Sequence, residues 1–149
     1  MLPKNEWAQL IPHAGGMCLL DAVIAWDRDT IHAISDGHRD ASHPLRHDGR
    51  LHAVHLAEYG AQAGAVHGAL CARAQDNAAP GPGVLVALRD VRLGCEWIEA
   101  LPGSLHVHAR CLLADTAGAH YDFRVLHAGH CLASGRCAVI HGDTAGDDA

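Results

Sequence analysis

A chain of 149 residues is suited to a single domain with one sizeable core. Its net charge of −6, from 11 basic and 17 acidic residues, argues against a nucleic-acid-binding protein, because such a protein should carry a basic face. Aromatic residues make up only 4% of the chain, so the predicted core depends on Leu, Val, Ile and Ala side chains. We expect one domain over residues 1–141 and an acidic, disordered tail over residues 142–149.

The cysteines and histidines do not form the patterns of a metal site. None of the six cysteines belongs to a CxxC pair or a zinc-finger spacing, and the 14 histidines include no HExxH motif. The sequence therefore predicts buried free thiols in a reducing compartment, with no metal and no cofactor. The N-terminus lacks the apolar segment of a signal peptide, and no apolar run is long enough to span a membrane. We expect a cytoplasmic protein with no membrane and no nucleic-acid partner.

The first part of the chain is predicted to form a short helix, two strands and a loop. Residues 5–10 favour a short helix with Asn5 as its N-cap. Residues 19–26 form an apolar, strand-like run, and the alternating residues 30–35 are typical of the returning strand. Residues 36–51 are polar and indicate an ordered loop, and loops beside a buried helix often carry catalytic groups.

Residues 52–74 form the stretch around which the rest of the chain is predicted to be organised. They are predicted to form one helix of about six turns at 3.6 residues per turn. Gly60, Gly64 and Gly68 recur every four residues and therefore share one face of that helix. Glycine inside a helix costs roughly 0.5–1 kcal/mol relative to alanine. Three glycines in register therefore indicate the close approach of another backbone, most simply that of a sheet.

The remainder of the chain is predicted to form four strands in a meander. They follow a linker rich in proline and glycine, and their predicted ranges are 84–93, 104–114, 121–125 and 130–141. The expected inner face of the second of these strands consists of alternate residues, Leu105, Val107, Ala109, Cys111 and Leu113. Two strands, one helix and four more strands predict an α+β structure, an antiparallel sheet of five or six strands wrapped around one long central helix. This arrangement is the hotdog fold; a ferredoxin-like fold would need a second helix late in the chain.

Glu58 is the main candidate for a functional residue in the central helix. It is the only charged residue of that helix before Arg73, and an isolated carboxylate in such a segment is costly unless it is paired, protonated or functional. Gln62 follows it by one turn, and His55 precedes it by almost one turn. Glu58 could be a catalytic acid or a buried acid held by structural hydrogen bonds. Gln62 could orient Glu58 or satisfy a carbonyl group of the sheet.

Three stretches resemble the β-hydroxyacyl-[acyl carrier protein] dehydratase family, and one of them is the final pair of predicted strands, which is similar to the family's C-terminal hairpin. The segment IPHAGGMCLLDAV at residues 11–23 is similar to its N-terminal signature, and AEYGAQA at residues 57–63 is similar to its central-helix signature. Together with the preceding HPLRHDGRL, the helix more closely resembles the dehydratase-like proteins of aryl polyene biosynthesis clusters. The resemblance implies a hotdog homodimer or higher homo-oligomer. Such a protein would dehydrate 3-hydroxyacyl thioesters, carried on acyl carrier protein, to trans-2-enoyl thioesters.

The resemblance also implies roles for individual residues. The catalytic acid corresponds to Glu58 and the helix glutamine to Gln62, and a catalytic histidine would reach the acid from the neighbouring subunit. The family's HFxGHP-like loop is absent, and the residue fourteen positions before Glu58 is Pro44, so His43 is the nearest candidate for that histidine. The histidine would remove the C2 proton, and the acid would protonate the departing C3 hydroxyl.

Substrate binding is expected around the start of the central helix. Gln62 would face the substrate from the helix, and Gly49 would let the backbone approach it closely. His13 belongs to the PH pair of the N-terminal signature, and a turn-organising role is its alternative. Backbone N–H groups at the start of the helix would stabilise negative charge on the thioester oxygen.

Two other functions are compatible with the same fold. A thioesterase would use a carboxylate to direct water at the thioester carbonyl. A non-catalytic subunit that binds acyl chains would keep the fold and lose the histidine. Arg46 and Arg50 either form a solvated pair or contact an acidic carrier protein and its phosphopantetheine phosphate.

Overall fold

The computed structural model describes residues 1–8, 18–75, 83–115 and 117–141. The strands and the long helix, in chain order, are β1 (Leu2–Pro3), β2 (Ala22–Trp26), β3 (Thr30–Ser35), α1 (Leu56–Ala74), β4 (Gly83–Leu93), β5 (Leu105–Ala114), β6 (Gly118–His127) and β7 (His130–His141). Three short 3-10 helices span Lys4–Glu6, Gly37–Arg39 and Ala53–His55. The predicted acidic tail lies outside the described residues.

The strands form one antiparallel sheet in the order β1-β2-β3-β5-β6-β7-β4. Helix α1 packs against this sheet and is the only long helix among the described residues, so the predicted hotdog fold is confirmed. The predicted count of five or six strands is one too low, because β1 pairs with β2 as a seventh strand. A strand of two residues is too short to show any periodicity in sequence.

The N-terminal helix is shorter than predicted. It is a 3-10 turn over Lys4–Glu6, and Pro3 rather than Asn5 occupies its N-cap position. The buried Trp7 ends the turn, because its backbone N–H donates to the carbonyl of Lys4 at 3.2 Å. The remaining two residues of the predicted helix, 9 and 10, lie outside the described residues.

Strand β5 follows the predicted alternation only in its first half. Leu105, Val107 and Ala109 are buried, as predicted. A β-bulge between Cys111 and Leu113 then shifts the pairing with β6, and Leu113 is 63% exposed. A shift of one residue moves a side chain to the other face of a sheet. The prediction that Leu113 faces inward is therefore wrong.

The glycine stripe of α1, formed by Gly60, Gly64 and Gly68, faces two aromatic rings of β6. A Cβ atom on Gly60 would overlap the ring of Phe123, and one on Gly64 would lie 2.9 Å from Cδ1 of Tyr121. Gly68 is less confined, because its Cβ would lie 3.8 Å from the Tyr121 hydroxyl. The predicted close approach is confirmed, but aromatic side chains of the sheet, rather than its backbone, fill the space.

We predict that Gly60→Ala destabilises the fold although alanine is the better helix former. The added methyl group must displace the Phe123 ring in a close-packed core, which costs about 1–3 kcal/mol. Gly68→Ala is the matched control, since it has room and should be neutral or stabilising by about 0.5–1 kcal/mol. Urea unfolding followed by circular dichroism measures both free energies of unfolding. Equal effects of the two substitutions would contradict this account of the stripe.

Candidate active site

Hydrogen bonds to a distant segment fix the direction in which the chain enters α1. The backbone N–H of Ala53 donates to the carbonyl of Glu96 at 2.8 Å, and that of Ile98 donates to Leu51 at 3.0 Å. The Glu99 carboxylate accepts the N–H of Leu51 at 2.9 Å, and this bond lowers the pKa of Glu99 below its usual value. The start of the helix is thus held to residues 96–99.

Arg46 and Arg50, in the loop before α1, are bound within the chain. Arg50 lies 3.2 Å from the Glu99 carboxylate, and its guanidinium carbon lies 4.0 Å from the centroid of the Trp97 ring. Arg46 donates to the carbonyl oxygen of Gly49 at 2.8 Å. Both side chains therefore stabilise the loop itself.

Glu58 lies half-buried in the first turn of α1, and Gln62 holds it there. Gln62 is fully buried, and its Nε2 donates to Glu58 Oε2 at 3.4 Å. Its Oε1 accepts the backbone N–H of Leu19 at 2.8 Å. Gln62 therefore orients Glu58 and also satisfies a backbone N–H of the chain before β2.

The backbone N–H groups of residues 53–56, which lead into the helix, are already used within the chain. A 3-10 turn over Ala53–His55 precedes α1 and takes them up. The N–H of Val54 donates to Nδ1 of His52 at 2.9 Å, that of His55 donates to the His52 carbonyl at 3.1 Å, and that of Leu56 donates back into the turn. The sequence predicts that backbone N–H groups here donate to the thioester oxygen. Those of residues 53–56 already have partners within the chain. The positive end of the helix dipole is also located here and can stabilise negative charge on a ligand.

His43 is buried, and both of its ring nitrogens are hydrogen-bonded within the chain. The N–H of Leu45 donates to Nδ1 at 3.1 Å, and Nε2 lies 2.9 Å from the Tyr59 hydroxyl. Because Nδ1 accepts a hydrogen, the neutral ring carries its own hydrogen on Nε2 and donates it to Tyr59. Burial, assisted by the charge of Arg46, lowers the pKa of His43 and favours this neutral form. Within one chain, the structure connects His43 to Tyr59 and not to Glu58.

His55 is a second histidine at this end of the helix. It lies three residues before Glu58, at the N-cap position of α1, and its ring makes no hydrogen bond with the described residues. Burial, and then the neighbouring His52, lower its pKa. The sequence placed His55 near Glu58 by its spacing, but only the structure distinguishes its free ring from the engaged ring of His43.

Of the two other predicted substrate-binding residues, the structure describes Gly49 alone. Gly49 has φ +76° and follows Asp48, whose φ is 52°, between the residues His47 and Arg50 that exchange backbone hydrogen bonds. Two consecutive residues with positive φ are typical of a type I′ turn, so the tight turn accounts for the glycine. His13 lies outside the described residues, and its role remains a prediction.

The face of the sheet that lies against α1, here called the inner wall, continues past Glu58 to the open edge of β4. Burial, with the charges of Asp122 and Glu58 nearby, raises the pKa of Cys137 on β7 to about 11. Cys137 pairs with Leu88 on β4, the last strand of the sheet, and Leu88 is 44% exposed. Leu93, opposite the buried Ala133, is 40% exposed. These apolar side chains continue the wall to an edge that a second subunit could cover.

The cysteines agree only partly with the expectation of buried thiols. All six are free, but only Cys18 and Cys137 are buried, and Cys131 is exposed. Within the described ranges, no group of three metal-binding side chains is arranged to hold an ion. No helix in the same part of the chain is long and apolar enough to cross a membrane.

Comparison with known families identifies the chain. A family profile described as ApeP dehydratase matches residues 5–147. The chain belongs to the ApeP-like dehydratase family. The predicted relationship to dehydratases is thereby confirmed, and no curated relative matches the chain.

Solved structures share the fold at low sequence identity. The ApeI:P dehydratase heterocomplex from Xenorhabdus doucetiae is 24% identical over 97% of this chain and 94% of that chain, with a TM-score of 0.84. AziG from S. sahachiroi is 16% identical over 84% of this chain and 91% of its own, with a TM-score of 0.60. A putative thioesterase from Shewanella oneidensis is 12% identical over 93% of each chain, with a TM-score of 0.62. These likenesses show the hotdog fold, and the family match shows the dehydratase class.

We predict that Gln62→Leu destabilises the fold and impairs the site. Leucine is similar in size but leaves the N–H of Leu19 without a partner in the core, which costs about 1–3 kcal/mol. It also removes the amide that orients Glu58. Asn5→Leu replaces an exposed amide side chain by leucine in the same way and is the control. Thermal unfolding should show a lower melting temperature for Gln62→Leu alone, and a wild-type melting temperature would contradict the assigned hydrogen bonds.

Proposed function

We propose that this protein dehydrates 3-hydroxyacyl thioesters on acyl carrier protein to trans-2-enoyl thioesters, in aryl polyene synthesis. The proposal rests on the ApeP-like family match and on one observation at the site, the half-buried Glu58 that Gln62 orients in the first turn of α1. The elimination of water moves protons and leaves the oxidation level unchanged, so it needs no redox cofactor.

The elimination requires a base at C2 and an acid at C3 of the acyl chain. The thioester carbonyl makes the C2 proton weakly acidic, and a histidine with a pKa near neutrality is suited to accept it. Glu58 in its protonated form would donate to the departing hydroxyl, which leaves as water. Gln62 would keep the carboxyl group in the position that this transfer needs. Negative charge on the thioester oxygen would be stabilised by the dipole of α1.

Two histidines are candidates for the base. The family resemblance assigns it to His43, reaching Glu58 from the neighbouring subunit. In this chain, His43 would first have to release Leu45 or Tyr59, since both ring nitrogens are occupied. The His55 ring has no hydrogen bond to the part of the chain that the structure describes, and the residue lies almost one turn before Glu58, so it is the alternative base within the same subunit.

Assembly is expected at the open edge of β4. The exposed Leu88 and Leu93 continue the apolar inner wall to this edge, and a second subunit there would enclose the acyl chain. A homodimer or higher homo-oligomer follows from the two-fold pairing of such an edge. The ApeI:P relative is a heterocomplex, so a related dehydratase subunit is the alternative partner. We place the assembled protein in the cytoplasm.

One observation favours a second candidate function, that of a non-catalytic or dependent subunit. If His43 stays bound to Tyr59 and Leu45 and His55 does not act as the base, a partner subunit would have to supply one. Assays of the purified chain, alone and with a related dehydratase subunit, distinguish the two cases. Formation of an absorbing enoyl product by the chain alone supports the first function. Release of free thiol from a saturated acyl thioester would indicate a thioesterase instead.

We predict that Glu58→Gln removes dehydration and leaves folding near wild type. Glutamine keeps the size of the side chain and can still contact Gln62, but it cannot deliver a proton. Turnover should fall about 10²–10⁴-fold, as for other lost general acids. Glu96→Gln, at an exposed position, is the control. A lower melting temperature with retained turnover would show that Glu58 is structural.

The same assay decides between the two histidines. His43→Asn retains an acceptor for the N–H of Leu45, so that the loop is preserved while the base is lost. Loss of turnover in this variant alone supports His43, whereas loss in His55→Ala alone supports His55. Full turnover in both would contradict a histidine base at this end of the helix.

We predict that Leu88→Asp dissociates the assembly. A charge on the inner wall at the edge of β4 would have to be buried by the second subunit without a partner. Light scattering at micromolar concentration should show a single chain for this variant and an oligomer for wild type. Leu113→Asp, at an exposed leucine of β5, is the control and should leave the oligomer intact. Dissociation by both variants to the same extent would argue against assembly through β4.

A further inference from the structure

The outer face of the sheet contains a groove that the proposed dehydration does not use. Its volume is about 970 Å³, and it crosses the sheet from β2 to β4. Its charged lining consists of four arginines and three aspartates, Arg92, Arg110, Arg124, Arg136, Asp27, Asp90 and Asp122. The groove therefore has a positive balance on a chain whose net charge is −6.

Several of these charges are already satisfied. Asp122 accepts hydrogen bonds from Arg110 at 3.3 Å and from Arg136 at 3.2 Å. The Asp27 carboxylate accepts two backbone N–H groups of the following turn, both at 2.8 Å. The arginines that remain without an ion-pair partner among the described residues are Arg92 and Arg124.

Arg92 and Arg124 flank Ser134 in one cross-strand row. The register pairs Arg124 on β6 with Ser134 on β7, and Ser134 with Arg92 on β4. Neighbouring strands lie about 4.8 Å apart, so the two arginine backbones are separated by roughly 10 Å. Long guanidinium side chains can converge over that distance above the serine hydroxyl. The row thus combines two positively charged guanidinium groups and one neutral hydroxyl group.

The same row continues into two histidines. His108 pairs with Arg124, and His32 pairs with His108, and their rings stack with centroids 4.2 Å apart. Burial, and then the charges of His32 and Arg124, lower the pKa of His108 to about 4. Its ring is therefore neutral at pH 7, so it can bond to a ligand without adding charge.

We propose that this groove binds a phosphate group between Arg92 and Arg124, over the hydroxyl of Ser134. Arginine forks form charge-assisted hydrogen bonds with phosphate oxygens, and two of them match the double charge of a phosphate monoester. Free phosphate and the phosphate of a nucleotide share this chemistry. Asp90, the third carboxylate of the lining, opposes the binding of an anion.

Isothermal titration calorimetry of the full chain tests the proposal with three probes, inorganic phosphate, adenosine 3′,5′-bisphosphate and adenosine. Binding of both phosphate compounds but not of adenosine is the expected result. Tighter binding of the nucleotide identifies a nucleotide as the source, and equal binding identifies free phosphate. Arg92→Gln and Arg124→Gln should each weaken binding by roughly tenfold or more, because each removes a charged hydrogen-bonding partner. Asp90→Asn should strengthen it.

The control is Arg110→Gln, which removes the same charge from the neighbouring row, where Arg110 is bound to Asp122. It should change the dissociation constant by less than about twofold. The proposal is overturned if no phosphate compound binds at millimolar concentration, if adenosine binds as well as its bisphosphate, or if Arg110→Gln weakens binding as much as Arg92→Gln does. Circular dichroism of each variant verifies that the sheet is intact.

Discussion

The contact between the glycines of α1 and the aromatic rings of β6 sets the position of the candidate site. Gly60 and Gly64 have no Cβ, so the helix can lie directly on Phe123 and Tyr121. A helix with side chains at these positions would be lifted from the sheet. Because Glu58 precedes Gly60 by two residues, this contact also brings the carboxylate close enough to β7 to influence a thiol there. The intrinsic cost of glycine in a helix is thus offset by packing.

Polar side chains hold the helix at this depth. Gln62 connects it to the chain before β2, and His67 is bonded to the Tyr121 hydroxyl at 2.8 Å and to the carbonyl of Asp27 at 2.9 Å. Buried polar groups must find partners, so histidines and amides that lie inside the core become structural links. This requirement explains why a chain with 14 histidines can use several of them for packing rather than for chemistry.

The two faces of the sheet have opposite characters. The inner face, which lies against α1, is mainly apolar among the described residues and continues to the open edge of β4, where Leu88 and Leu93 are exposed. The outer face carries rows of arginine, histidine and serine. Because successive side chains of a strand point to opposite faces, the residue types on one face do not determine those on the other. One sheet can therefore enclose an acyl chain on one side and present a basic groove on the other.

Local spacing in the sequence was sufficient to predict most of the central helix, the strands on either side of it and the adjacency of Glu58 and Gln62. These features depend on residues a few positions apart, for which helix and strand periodicities are regular. The predicted start of the helix at residue 52 is wrong, because α1 begins at Leu56 and a 3-10 turn over Ala53–His55 precedes it. The tertiary structure alone decided the short strand β1, the bulge that exposes Leu113, and the partners of His43. It also decided that Gln62 bonds to Leu19, 43 residues away. Such contacts depend on how distant segments pack together, and no periodicity along the chain encodes that.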